Sequence, residues 1–97
     1  MILMISHRVR DYDEWKLGFD EHRPVREQHG ATGHALYRPA DDPNTVVIFI
    51  DFPTEQRVRE FLADPSLKQA MEAAGVEGES TISLLAGESV HYSCGVA

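Results

Sequence analysis

Apolar residues in this chain follow two patterns: short unbroken runs, and stripes at helical spacing. Ile2-Leu3-Met4-Ile5 opens a strand that reads on to Val9, and Val46-Val47-Ile48-Phe49-Ile50 forms the body of another, Thr45 to Phe52. Runs this short and this rich in branched side chains predict buried strands. Ala31 to Arg38 and Thr81 to Ala86 read as two more strands with mixed faces. Between them, Tyr12, Trp15, Phe19 and His22 form one helical stripe, which Arg26 and His29 continue. Val58, Phe61 and Leu62 make the inner face of a later helix, and Leu67, Ala70, Met71 and Ala74 that of the next.

The punctuation agrees with the pattern. Asp11 is placed to cap the first helix, with Glu14 completing a capping box. Pro24 removes an amide donor and should kink or split that helix, and Gly30 is a left-handed stop. The stretch Pro39 to Asn44 is dense in turn formers and predicts a hairpin loop. Asp64-Pro65 restarts a helix as cap and first residue, and Gly75 ends it. Val90 to Tyr92 reads as a short fifth strand or part of a tail.

The order β-α-β-β-α-β predicts one ferredoxin-like α+β domain spanning residues 1–97, with 87–97 as an extra strand or tail. Its sheet is four-stranded and antiparallel, its helices lie on one face, and the first and third strands are central. Those two strands are apolar on both sides, whereas the helices cover one side only. Burial is worth roughly 25 cal/mol per Å², so wetting several large side chains costs several kcal/mol in a domain of small net stability. A second copy packed face to face about a two-fold axis is the economical cover, and a homodimer is expected.

Charge and cysteine content narrow the classes. Sixteen acids against nine bases give a net charge of −7, and no Lys/Arg cluster offers a face for phosphates. Nucleic acid and anionic membrane surfaces are therefore not expected as partners. One cysteine, Cys94, builds no intrachain disulfide. Met1 to Ile5 is too short for the core of a signal peptide, and no apolar run approaches the roughly 20 residues that span a bilayer. A cytoplasmic location is expected.

Candidate chemistry is sparse. Five histidines fall in no metal motif, and about 10 Å of helix separates His22 from His29. The glycines fit no dinucleotide or phosphate loop, and no serine or cysteine stands where a nucleophile would. No metal and no cofactor are expected. What remains is histidine as a general base in an apolar pocket. His22 comes first, one turn from Phe19 and two from Trp15. The other reading makes it a boundary residue hydrogen-bonded to the sheet or to a helix carbonyl freed by Pro24. His7 shares strand parity with Leu3, Ile5 and Val9, so it is a base or a satisfied core histidine. Trp15, Phe19 and Phe61 line a pocket or fill a core. Arg26 binds an acidic group of a substrate or is solvated. His34 and Tyr37 lie on opposite faces of one strand, so at most one of them reaches a given pocket, and Tyr37 is kept as the candidate. The ligand is expected to be small and apolar or aromatic.

One set of residues carries a family resemblance. His7-Arg8-Val9-x-Asp11-Tyr12-x-x-Trp15, then Asp20-x-His22, Arg26 and Gly30, then Arg38-x-x-Asp41-Asp42-Pro43-Asn44, resembles small cyclase-like and antibiotic-biosynthesis-monooxygenase-like proteins. These belong to the dimeric α+β barrel superfamily, and the resemblance covers roughly residues 2 to 86. It implies a homodimer with a pocket between helices and sheet in each subunit. The activity it implies is cofactor-independent: histidine-assisted enolisation of a polyketide-like or aromatic-precursor substrate, ending in ring closure. Cofactor-free oxygenation of the same carbanion is the alternative, and a non-catalytic ligand-binding dimer is another.

Overall fold

The computed structural model describes residues 1–88 and Tyr92. Its elements are β1 (Ile2–Val9), α1 (Tyr12–Glu21), α2 (Arg23–Gln28), β2 (Gly33–Tyr37), β3 (Thr45–Asp51), α3 (Glu55–Leu62), α4 (Pro65–Ala73) and β4 (Val76–Leu85). The four strands form one antiparallel sheet in the order β2-β3-β1-β4. This is the expected ferredoxin-like order with β1 and β3 central. Each helical crossover is broken into two pieces, at His22 before Pro24 and at Asp64-Pro65.

Side-chain parity divides the sheet into two unlike faces. Leu3, Ile5, His7 and Val9 alternate with Val46, Ile48 and Ile50 on the helix side, and all are buried. Trp15, Phe19, Phe52, Val58 and Phe61 complete this core from above. Burying side chains of this size contributes roughly 1.5–3 kcal/mol each. The opposite face presents Ile2, Met4, Val47 and Phe49, partly exposed, with Tyr37 and Leu85 exposed. Among the described residues nothing covers this second apolar layer.

Local chemistry sets the joints. Asp11 accepts from the Glu14 amide, but the Glu14 carboxylate turns to Arg10 instead of closing the box. Asp42 organises the hairpin loop, accepting from the Asn44 amide and the Thr45 hydroxyl. β4 begins five residues before the predicted Thr81, and the reason is a bulge. Ser6 pairs with Thr81 but Arg8 pairs with Glu77, so His7 alone faces Gly78, Glu79 and Ser80. Gly78 has φ +71, which only glycine adopts freely. The irregular register hid the strand's first half from a reading based on alternation. The predicted fifth strand, Val90 to Tyr92, falls outside the described residues except for Tyr92, which is exposed and in no strand.

Candidate active site

Between the sheet and the helices lies a cavity in which about 40 Å³ is reachable by the centre of a water molecule. Its floor is Ile5, His7, Ile48 and Ile50, and its walls are Trp15, Phe19 and Phe61. Its roof is Leu67, Ala70 and Met71 of α4, with Ala74 beyond. A water needs roughly 10–15 Å³ by this measure, so this half-open cavity has room for about three. No residue of α4 is fully buried. Gly18 lets it approach: a Cβ there would stand 3.0 Å from that of Ala74.

The cavity is apolar apart from three side chains, His7, His22 and Arg26. His7 sits at the β4 bulge, where its Nδ1 is 3.2 Å from Ser80 Oγ. Its ring is 5% exposed and packs edge-on against Trp15 at 5.9 Å. Nε2 is buried and has no hydrogen-bond partner among the described residues. Desolvation holds the His7 pKa below the usual 6.5, so the ring is neutral at physiological pH, and the nitrogen that carries no proton can act as a base.

Arg26 comes from α2 and is 3% exposed. Its Nη1 donates to the Phe19 carbonyl at 2.7 Å, and its guanidinium carbon lies 3.7 Å above the Phe19 ring. Its Nη2 is buried without a partner among the described residues. Burial lowers its pKa from 12.5 to about 10, which still leaves it charged at neutral pH. His22 caps α2 and rests beside Phe61, with Nε2 3.2 Å from Ser66 Oγ. Burial and then the Arg26 charge keep its pKa low. His29 lies further out, on Phe61, and pairs with Asp64 at 2.8 Å. That hydrogen bond, with those from Ser66, draws the Asp64 carboxyl down to about 2.

The structure thus gathers His7, His22, Trp15, Phe19, Arg26 and Phe61 around one cavity. Tyr37 is a correction. It lies on the far face of the sheet, 60% exposed and against Phe49, and does not reach the cavity. Strand parity puts His34 on the helix side instead, edge-on to Phe19 at 4.9 Å. Sequence reasoning missed Ser80 and Ser66, the partners of the two cavity histidines. Ser80 fell outside the predicted strand, and Ser66 is 44 residues from His22 with nothing in the pattern to link them. It missed Gly18 as well, although a glycine inside a helix next to an aromatic stripe is a signal of close approach. Among the described residues no three His, Cys, Asp or Glu side chains converge as a metal site, and no helix is long and apolar enough to cross a membrane.

Solved structures place this geometry. SnoaB, a cofactor-independent oxygenase from Streptomyces nogalater, superposes with a TM-score of 0.72 at 19% identity, covering 92% of this chain and 94% of that one. This chain has the antibiotic-biosynthesis-monooxygenase-like fold. Two proteins provisionally described as antibiotic biosynthesis monooxygenases agree. One, from Caulobacter crescentus, gives a TM-score of 0.71 at 15% identity over 90% of this chain and 89% of that one. The other, from Bordetella bronchiseptica, gives 0.69 at 19% over 84% and 91%. No family model and no curated protein matches the sequence. The antibiotic-biosynthesis-monooxygenase-like fold is thus carried here by a sequence that keeps less than a fifth of the residues of these structures.

Proposed function

We propose that this protein is a cofactor-independent enzyme that deprotonates an aromatic-precursor substrate and lets the carbanion react with O₂. The observation that carries the reading is the buried, unpartnered Nε2 of His7 on the wall of an apolar cavity. A polar atom left unpaired in a core costs about 1–3 kcal/mol, and such costs concentrate where a ligand supplies the missing partner. With Nδ1–H donating to Ser80 Oγ, Nε2 carries the lone pair and takes a proton from carbon next to a carbonyl. The dry walls leave the enolate few competing fates. In oxygenation, the carbanion carbon bonds to O₂ and the peroxide so formed takes a proton. Loss of water then leaves a new carbonyl, the substrate itself being the reductant.

Oxygenation is placed ahead of ring closure because SnoaB, of the same fold, is described as a cofactor-independent oxygenase. Fold alone does not assign activity, so the test is direct. An anthrone-type substrate is incubated with the protein in an oxygen electrode. Uptake that His7→Phe abolishes supports oxygenation. Ring closure without uptake assigns the cyclase instead, and neither reaction reduces the protein to a ligand-binding module.

We also infer a homodimer built on the uncovered sheet face. Ile2, Met4, Val47, Phe49 and Leu85 form an apolar surface there of the kind that marks an interaction site.

A further inference from the structure

Arg26 poses a question that proton abstraction by His7 leaves unanswered. Six other cations are paired with carboxylates at the surface, from Arg8 with Asp42 to Arg59 with Glu55. Arg26, by contrast, is buried, and among the described residues no carboxylate hydrogen-bonds to it, although Asp20 and then Glu27 lie near enough to favour its charge. One arm of its fork is used on the Phe19 carbonyl and the other is left empty-handed inside the protein. A buried charge held in no direct ion pair is expensive, and a buried polar atom left unpaired calls for an explanation, of which a bound ligand is one. Arg26 also lines a second, polar and solvent-open recess with Arg23, Thr32 and His34, so it stands between the apolar cavity and the outside.

We infer that Arg26 is an anion subsite, and that the molecule this cavity takes is a planar ring compound bearing a carboxylate, which is ionised at neutral pH. The ring lies among Trp15, Phe19 and Phe61, and a carboxylate oxygen accepts from Nη2 of Arg26. The guanidinium is already held over the Phe19 ring and by the Phe19 carbonyl, so little ordering is needed on binding. The inference rests on the cavity being the ligand site, as proposed above, and adds the charge of the ligand.

The test is binding, independent of turnover. Trp15 is the chain's one tryptophan and forms a wall of the cavity, so its fluorescence reports occupancy. Benzoate and benzamide, alike in shape and different in charge, are titrated at pH 7.5. A charge-assisted hydrogen bond in a dry site predicts that benzoate binds at least about tenfold more tightly. Arg26→Gln should bring the two ligands to equal affinity, and Arg26→Lys should restore part of the preference. A role limited to holding the Phe19 carbonyl would lower stability in both variants but leave the ratio of affinities unchanged. If Arg26→Gln does not fold, the wild-type melting temperature decides: benzoate should raise it and benzamide should not. Equal binding of the two ligands, or binding of neither, overturns the inference. Turnover of a neutral substrate without acid preference would sink the anion subsite and spare the enzymatic reading. Acid preference without turnover would do the reverse.

Discussion

Replacing His7 with phenylalanine separates a base from a core residue, because the two roles predict opposite signs for stability. In the folded protein Nε2 is buried with no partner among the described residues, which costs about 1–3 kcal/mol when the cavity is dry. The substitution removes that cost. It also removes the Nδ1 contact with Ser80 Oγ, worth about 0.5–1.5 kcal/mol net. Phenylalanine keeps the edge-on contact with Trp15, and the adjoining cavity leaves room for its extra width. The balance is a variant about 1 kcal/mol more stable than wild type at neutral pH, and inactive if the proposed chemistry is right. The pH dependence adds a second signature. Burial lowers the folded-state pKa of His7 below 6.5, so the unfolded chain takes up its proton first as pH falls. The resulting stability is complete above pH 6.5. It is lost as pH drops from there towards the folded pKa, at up to about 1.4 kcal/mol per pH unit. The variant lacks this loss, so its advantage should grow between pH 7.5 and 5.5. Urea unfolding followed by Trp15 fluorescence at both pH values measures it. A His7→Phe protein destabilised by more than about 1 kcal/mol with an unchanged denaturant slope would show that His7 is a satisfied structural residue.

Three other perturbations test different parts of the account. Phe61→Ala empties the junction of Phe52, His22 and His29. It should cost about 3–5 kcal/mol, visible as a large drop in the urea midpoint. Phe49→Asp charges the open sheet face. Light scattering should give about twice the 10.9 kDa chain mass for wild type and a single chain for the variant; a wild-type monomer would remove the dimer. Asp64→Asn weakens the link from α2 to the cap of α4. The folded carboxyl titrates at about 2 rather than 3.8, so its contribution is present at neutral pH and is lost as pH falls from 3.8 towards 2. The variant should therefore melt lower than wild type at pH 6 and alike at pH 2. A constant difference across that range would mean the His29 pair contributes nothing.

Much of this architecture was written in one dimension. The element order put β1 and β3 at the centre of the sheet, and their unbroken apolar runs agreed, because central strands lie deepest under the helices. Asp11, Pro24, Asp64 and Pro65 fixed where helices start and break, because capping and the missing proline amide act over three or four residues. Parity along β1 already placed His7 with Leu3 and Ile5, and parity along β2 allowed only one of His34 and Tyr37 near the cavity. It could not choose between them, since choosing requires knowing which side the helices take. The site itself was decided in three dimensions. A bulge at Gly78 set Ser80 beside His7, and the fold of α2 onto Phe19 withdrew Arg26 from water. Ser66 met His22 across 44 residues and left His7 with the free nitrogen. Hydrogen-bond satisfaction and burial depend on neighbours distant in the chain, and no local pattern encodes which polar atom will be left without one.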